Sequence, residues 1–261
     1  ELFRRTNRSL VLTETAQLSL APLKEAFERM EESVDILTDA KSSTVLKISV
    51  SPSFASKWLV PRLANFYERR PDAIVKIEAT MDITDFNAED THLAIRYGRG
   101  EYAGLYSEEI LRETIFPVCA PGAMGKDECC KTACEVLQHT LIHDDSFIED
   151  HSAPNWSMWL KAAGVTPPNG VPALHFNNNA LAIEAAAAGR GIALARSVIA
   201  EEDIKAGRLV KPFGEGVPVD FAHYIVCPED KLKNERVQDF IDWLREETGR
   251  YRDEEQPEAV E

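Results

Sequence analysis

Apolar residues recur at intervals of three and four along the first part of the chain, a spacing typical of a helix that packs lengthwise against another helix. This stripe consists of Leu20, Leu23, Phe27, Met30, Val34 and Leu37. Thr13 precedes Glu14, and neither a glycine nor another loop residue follows before the segment Lys41-Ser42-Ser43. We therefore predict a helix from about Glu14 to Ala40 with Thr13 as its N-cap, about 40 Å long at 1.5 Å per residue.

Two interpretations of this helix stay open. The stripe is either a dimerisation surface, or the apolar face of an amphipathic helix that lies on its own domain. Pro22 lies inside the predicted helix and removes a backbone donor, so it predicts a kink or a break near Leu18.

A short basic segment precedes the helix. Residues Leu2 to Leu12 hold Arg4, Arg5 and Arg8 between apolar ends, with Thr6-Asn7 as turn residues. This pattern predicts a β-hairpin that carries a local positive charge.

Beyond residue 44, apolar runs with a period of two alternate with runs of helical period, which indicates an α/β fold. The predicted strands lie at Leu46–Val50, Ile74–Ala79, His92–Tyr97, within Glu109–Ala120, and at His139–His143, Ala173–Phe176, Gly191–Ala195 and Tyr224–Cys227. The predicted helices follow Ser53, span Trp156–Ala163 and Leu181–Ala188, and end the fold around Val237–Leu244. The elements form two blocks that divide near Pro121, and a ligand cleft is expected between them.

Composition limits the classes of function. With 261 residues and 44% hydrophobic content, the chain can hold two packed domains. No run approaches the roughly eighteen apolar residues of a membrane span, and the start lacks the apolar region of a secretory signal, so we expect a cytoplasmic protein with no membrane contact. The net charge of −15 restricts any nucleic-acid contact to a local surface such as the basic hairpin. Acidic residues crowd the end of the chain, and we predict a disordered tail over residues 249–261.

Polar side chains follow two of the predicted strands. Ser51, Ser53 and Phe54 lie where the first strand leads into a helix, and the run Asn177-Asn178-Asn179 does the same in the second block. Hydroxyl groups and free backbone N–H groups at two helix N-termini favour an anionic ligand or one with a carboxylate. Simple helix capping is the alternative for the asparagines.

Arg96 is the charged residue of an otherwise apolar strand. It shares a strand face with Ala94, and a guanidinium there needs a carboxylate partner. That partner is either the ligand or an acidic side chain of the protein such as Asp85 or Glu89.

The patterns that would indicate an enzyme or a metal protein are missing. Ser53 has no lysine three residues later, no Gly-x-Ser-x-Gly segment occurs, and Gly98-Arg99-Gly100 lacks the third glycine of a dinucleotide site. His139 and His143 bracket a strand-like segment and would not share a helix face, so we predict no metal site, no cofactor and no catalytic residue. The five cysteines show no CxxC pair; the group Cys129, Cys130 and Cys134 leaves redox sensing open.

Several strings along the chain carry a family resemblance. They are Leu2-Phe3-Arg4-Arg5 with Leu12-Thr13-Glu14, Ser53-Phe54-Ala55 with Trp58-Leu59-Val60-Pro61-Arg62-Leu63, Ala94-Ile95-Arg96-Tyr97-Gly98, Phe176-Asn177-Asn178, Gly189-Arg190-Gly191-Ile192-Ala193-Leu194, and Gly207-Arg208-Leu209-Val210-Lys211-Pro212-Phe213. In this order they resemble LysR-type transcriptional regulators, in the branch of the glycine-cleavage activator and the β-lactamase regulator. The resemblance covers nearly the whole chain except its acidic end.

The resemblance implies a winged helix-turn-helix, a linker helix that dimerises, and an effector domain folded like a two-lobed (type 2) periplasmic binding protein. The implied divisions are a wing remnant at 1–12, a linker helix at 13–41, a first lobe at 44–120 and 222–248, a second lobe at 121–221 and the tail at 249–261. The base-reading helix would lie upstream of Glu1, and Arg4, Arg5 and Arg8 of the wing would contact phosphate or minor groove.

The same resemblance implies partners and ligand contacts. Promoter DNA, a small-molecule effector, a homodimer or homotetramer, and RNA polymerase are the implied partners. In the β-lactamase-regulator relatives the ligand-contacting pattern corresponds to Ser53, to Asn178 or Asn179, and to Tyr224, for which a half-buried core aromatic is the alternative. His92 stands where those relatives carry an acidic residue, which argues against a cell-wall peptide. A two-lobed solute-binding protein without DNA function is the alternative for the whole chain.

Overall fold

The computed structural model describes residues 2–5, 10–38, 45–86, 88–123, 132–168 and 170–255. The chain divides into two compact units, Glu1–Thr44 and Val45–Glu261. The first unit begins with strand β1 (Phe3–Arg5), which pairs antiparallel with β2 (Leu10–Leu12). This pairing confirms the predicted hairpin strands, while the proposed turn residues lie outside the described part of the chain.

Helix α1 spans Glu14–Thr38. The Thr13 hydroxyl accepts a hydrogen bond from the Ala16 N–H at 3.3 Å, which confirms the predicted N-cap. The helix runs continuously through Pro22, so the predicted alternative of a break is wrong. Proline removes only the N–H that would bond the Leu18 carbonyl, and Leu18 is 76% exposed, so water can solvate that carbonyl.

The second unit is built on one mixed sheet. Its strands are β3 (Val45–Val50), β4 (Ile74–Ala79), β5 (Leu93–Gly98), β6 (Tyr106–Val118), β7 (Leu141–Asp144), β8 (Ala173–Phe176), β9 (Ile192–Arg196) and β10 (Val217–Cys227). They lie in the order β4-β3-β5-β10-β6-β9-β7-β8. The outer strands pair in parallel, whereas β10 runs antiparallel to both β5 and β6, and β6 antiparallel to β9. The α/β expectation is confirmed, with the two long antiparallel strands joining the outer groups.

Helices pack on this sheet. They are α2 (Pro52–Phe54), a π-helical segment (Ala55–Leu59), α3 (Val60–Arg69), α4 (Ala133–Val136), α5 (Trp156–Ala162), α6 (Asn179–Ala187), α7 (Ser197–Lys205), a 3₁₀ helix (Glu229–Lys233) and α8 (Glu235–Glu255). The predicted helices at residues 156, 181 and 237 are present to within a few residues. Their buried faces share a core with the sheet that includes Phe54, Trp58, Phe66 and Phe240.

The predicted disorder of the acidic tail is wrong up to Glu255, because α8 continues to that residue. Glu247, Thr248 and Tyr251 are almost fully buried. Asn65 of α3 donates to the Glu247 carboxylate at 3.1 Å, so acidic side chains that look unpaired in the sequence have partners across the helix interface. Residues 256–261 lie outside the described part. Among the described helices, none is both long and apolar enough to cross a membrane.

Candidate functional site

The structure brings together two residues that are far apart in the sequence. The Ser53 hydroxyl donates to the Asn178 side-chain oxygen at 3.0 Å, and the Ala180 N–H donates to both side chains, at 3.2 and 2.9 Å. Asn178 is the N-cap of α6, so the capping alternative applies to it. The side chains of Ser53 and Asn178 are therefore hydrogen-bonded to each other, and this bond links α2 to the start of α6.

Ser51 and Arg96 line a common cavity of about 180 Å³, which we call the first cavity. Its other lining residues are Thr80, Met81, Ile83, Thr84, Phe86, Ala94, Tyr97, Tyr102, Leu105, Phe147 and Val226. Arg96 is the only charged residue among these described lining residues. The buried Ser51 hydroxyl has no hydrogen-bond partner within the described structure.

Neutral oxygens hold Arg96 in place. Its Nη2 donates to the Ser49 hydroxyl at 2.6 Å, the Thr84 hydroxyl at 2.7 Å and the Asp82 carbonyl at 3.0 Å, while Nη1 makes one long contact of 3.4 Å to the Ile95 carbonyl. Burial is the main cause that lowers the pKa of the guanidinium. Arg96 forms no ion pair with any described residue, so the proposed salt bridge to Asp85 or Glu89 is not observed.

Asn179 lines a second cavity of about 140 Å³. Its other lining residues are Tyr97, Ile115, His143, Asp144, Asp145, Phe147, Ile148, Asp150, His151, Ala153, Pro154, Asn155, Trp156, Leu194 and Arg196. Tyr97 and Phe147, whose rings lie 5.7 Å apart, line both cavities. The two cavities are therefore neighbours that share an aromatic wall.

Arg196 is the buried cation of the second cavity. Its guanidinium carbon lies 4.3 Å from the centre of the Tyr97 ring, and its Nη2 lies 4.0 Å from the Asp144 carboxylate. The nearby His143 ring stacks on His175 at 4.5 Å. Burial, followed by the neighbouring His175, lowers the pKa of His143, so this imidazole is neutral near neutral pH.

Besides Ser53 and Asn178, three further predicted ligand residues line neither cavity in the described structure. Phe54 is fully buried in the apolar core. Its ring stacks on Trp58 with the ring centres 4.9 Å apart and lies tilted against His223 at 4.4 Å. Asn177 is exposed at the end of β8. Tyr224 has its own surroundings, described next.

Tyr224 pairs with Arg96 across β10 and β5. Its hydroxyl donates to Glu109 at 3.4 Å, and its ring packs on the backbone of Gly100, where an added Cβ would lie 2.7 Å from the ring. Gly100 also has a φ of 83°, which favours glycine. These contacts fit the alternative given for Tyr224 in the sequence analysis, a half-buried aromatic residue that packs within its own fold.

Arg196 and Tyr97 were not predicted as site residues. Arg196 is the last residue of the apolar strand β9. A single charged residue directly after Ile192-Ala193-Leu194-Ala195 is the sequence feature that could have indicated a site residue. Nothing in the sequence pattern of Tyr97 distinguishes it from a core residue.

The predicted assembly and DNA residues belong to the first unit. Four members of the apolar stripe of α1 are strongly exposed, namely Leu20 (48%), Leu23 (56%), Phe27 (58%) and Met30 (63%). Val34 and Leu37 are helical, but their side chains lie outside the described structure. Arg4 and Arg5 lie in β1 with side chains likewise undescribed, and Arg8 lies outside the described residues.

The described residues contain no group of three or more histidine, cysteine, aspartate or glutamate side chains placed to hold a metal ion. Cys134 is exposed, and the other two cysteines of the proposed redox group, Cys129 and Cys130, lie outside the described part.

Comparison with known proteins gives consistent matches. Residues 39–249 match the model of the LysR substrate binding domain. The chain is 36% identical over 244 residues to the glycine cleavage system transcriptional activator of Escherichia coli strain K12, covering 94% of this chain and 78% of that protein. It is 30% identical over 244 residues to the HTH-type transcriptional activator AmpR of Rhodobacter capsulatus, covering 93% of this chain and 80% of that protein.

Solved structures show the same fold. The effector binding domain of AmpR from Citrobacter freundii aligns with a TM-score of 0.67 and 23% identity over 79% of this chain and 98% of that one. CrgA of Neisseria meningitidis, a LysR-type transcriptional regulator, aligns with a TM-score of 0.60 and 19% identity over 95% of this chain and 84% of that one. The second unit is thus a two-lobed effector domain like those of periplasmic binding proteins, as predicted.

Proposed function

The chain belongs to the LysR family of transcriptional regulators, and from this premise we propose that its first cavity binds a small molecule that carries a carboxylate. Binding of this effector would modulate transcription. The alternative of a solute-binding protein without DNA function is not supported, since the matched relatives are transcriptional regulators. In this proposal the chain acts by binding and not by catalysis.

The single observation that carries the proposal is the charge of Arg96 in the first cavity. A guanidinium that has no ion-pair partner among the described residues and lines a mostly apolar cavity attracts a carboxylate, because a buried charge is costly unless it is paired. Arginine has five N–H donors, and only one long contact engages Nη1, so capacity remains for a ligand oxygen.

Other lining residues support the same ligand class. The buried Ser51 hydroxyl lacks a partner and can donate to a second ligand oxygen. Burial raises the pKa of Tyr102, so its phenol stays neutral and adds no negative charge. The volume of about 180 Å³ corresponds to about six water molecules at ~30 Å³ each, which suits a small metabolite with an apolar body.

We assign the lobes of this effector domain to residues 44–120 with 222–248, and to residues 121–221. The exposed stripe of α1 would pair two or four copies of the chain, and the arginines of the β1–β2 hairpin would contact the backbone of promoter DNA. RNA polymerase is a further proposed partner. The effector would transmit its signal by binding one of two arrangements of the assembly more tightly than the other.

The test compares Arg96→Met with the control Arg99→Met, since Arg99 is an exposed arginine a few residues away. Melting temperatures are measured with straight-chain monocarboxylates from acetate to hexanoate and with phenylacetate, each beside its neutral amide. Ligand at a hundred times its Kd stabilises by about 2.7 kcal/mol, so at least one carboxylate should raise the melting temperature of the wild type by roughly 5–10 °C.

Arg96→Met should bind that carboxylate about tenfold to a hundredfold more weakly, because a charge-assisted hydrogen bond contributes about 1.5–3 kcal/mol. Arg99→Met should respond as the wild type does. Equal responses of Arg96→Met and wild type, equal binding of acid and amide, or no response to any acid would each reject the proposal.

A further inference from the structure

We propose that the second cavity is a separate binding site for a small zwitterion, a free α-amino acid, whose carboxylate binds Arg196 and whose ammonium binds Asp144 and Asn179. This site adjoins the first cavity, and its existence does not depend on the function proposed for Arg96.

An unsatisfied donor faces this cavity. Arg196 is 6% exposed, and its Nε has no hydrogen-bond acceptor in the described structure. Its carboxylate neighbour Asp144 lies at 4.0 Å from Nη2, beyond hydrogen-bond distance. A ligand carboxylate can accept from Nε and a second guanidinium N–H in the bidentate geometry that arginine favours.

An unsatisfied acceptor faces the same cavity. Asn179 is 1% exposed, and its side-chain oxygen receives no hydrogen bond from any described group. Buried polar atoms in native proteins nearly always have partners, so an unpaired donor and an unpaired acceptor lining one cavity indicate a ligand that offers both functions.

The charges around the cavity favour a zwitterion over a simple anion or cation. Three carboxylates line it, and two of them are engaged by neighbours: Asp145 contacts the His175 ring nitrogen at 2.9 Å, and Asp150 accepts from Ser152. The third, Asp144, accepts the Ser146 N–H at 3.0 Å through Oδ1, which leaves Oδ2 facing Arg196.

A simple anion would meet these three carboxylates, and a simple cation would meet the Arg196 guanidinium. An α-amino acid carries its two charges on groups joined by one carbon, which matches the close approach of Arg196 and Asp144. His143 adds no further positive charge near neutral pH, because burial and His175 lower its pKa.

The remaining walls limit the size of the side chain. Trp156, Leu194, Ile115 and Phe147 provide apolar surface around the charged groups. With a volume of about 140 Å³, the cavity suits an amino acid with a small or medium apolar side chain.

The experiment is isothermal titration calorimetry on the full chain with the free α-amino acids, in both enantiomers. Each active compound is compared with its N-acetyl derivative, which lacks the ammonium, and its amide, which lacks the carboxylate. At least one free amino acid should bind with a Kd in the millimolar range or tighter, and both derivatives should bind at least tenfold more weakly.

Three variants locate the site. Arg196→Met should reduce affinity for the amino acid at least tenfold, whereas Arg190→Met, at an exposed arginine nearby, should not change it. Asp144→Asn should lose the preference for the free amine over the N-acetyl form; it also decides the question if Arg196→Met does not fold. Arg196→Met should still respond to the carboxylate in the melting experiment as the wild type does, because it leaves Arg96 in place, and this separates the second cavity from the first.

Equal binding of the free and blocked forms, or wild-type affinity in both Arg196→Met and Asp144→Asn, would overturn the assignment. So would the absence of binding by every free amino acid at millimolar concentration.

Discussion

His223 and Glu113 form a fully buried pair at the centre of the sheet. The His223 Nε2 lies 2.8 Å from a Glu113 oxygen, and the other oxygen accepts from the Ser197 hydroxyl at 2.9 Å and the Val198 N–H at 2.8 Å. The Nδ1 of His223 has no partner among the described groups, as expected of a neutral ring that donates through Nε2. Burial is the largest influence and lowers the pKa of His223, although the Glu113 carboxylate acts against it.

This neutral histidine predicts a dependence of stability on pH. Below the ordinary histidine pKa of about 6.5, the unfolded chain takes up a proton that folded His223 does not, so stability falls as pH decreases from about 6.5 to 5. The contribution of one histidine has a limiting slope of about 1.4 kcal/mol per pH unit. His223→Gln, which keeps a donor for Glu113, should make the fall shallower in urea unfolding measured from pH 7.5 to 5. A fall as steep as that of the wild type would contradict the neutral assignment.

At the residue scale, the sequence identified part of the candidate site. Ser51 was predicted because it follows an apolar strand, and Arg96 because it is the charged residue within one. Both line the first cavity. Phe54 was predicted as a ligand residue because it adjoins the polar residues Ser51 and Ser53, but it lies in the apolar core. Arg196 was missed because its significance depends on Tyr97 and Asp144, and only the folded chain brings these residues together.

At the element scale, helix α1 carries an apolar stripe without a partner in the described structure of one chain. Leu20, Leu23, Phe27 and Met30 are about half or more exposed. Each buried aliphatic or aromatic side chain contributes roughly 1.5–3 kcal/mol, so the stripe can stabilise helix pairing between two chains.

Leu23→Glu should therefore shift the chain toward monomer in sedimentation velocity at micromolar concentration. Leu18→Glu is the matched control, because Leu18 is 76% exposed and lies on the opposite face of the helix. The two variants should differ, with Leu18→Glu keeping the oligomer. A wild type that sediments only as monomer, or a Leu23→Glu oligomer as stable as the control, would reject the pairing role of the stripe.

Most elements of the second unit follow the periodicity of the sequence, but helices α7 and α8 depart from it. Helix α7 begins directly after β9, with no loop residue between Arg196 and Ser197, so the sequence pattern does not mark where the strand ends and the helix begins. At the N-terminus of this helix, the Glu113 carboxylate of β6 accepts a hydrogen bond from the Val198 N–H. Helix α8 extends beyond the prediction because Tyr251 and Glu247 bury against the rest of the fold. In both cases residues distant in sequence determine the boundary.

At the scale of the whole molecule, the fold class and family were predictable from the order of short strings along the chain. The strand order was not, because β10 pairs with β5 and β6 over long sequence separations. The lobe boundaries and the site residues remain proposals. Tyr97 and Phe147 stand between the two cavities, so occupation of one can affect the other through a shared wall.

Carboxylate binding by Arg96 is tested most directly by a crystal structure of the chain with the carboxylate that stabilises it most in the melting experiment. We expect ligand density in the first cavity, with a carboxylate oxygen within about 3 Å of an Arg96 guanidinium nitrogen. A ligand whose carboxylate binds elsewhere, with Arg96 still bound only to Ser49, Thr84 and the two carbonyl groups, would contradict it.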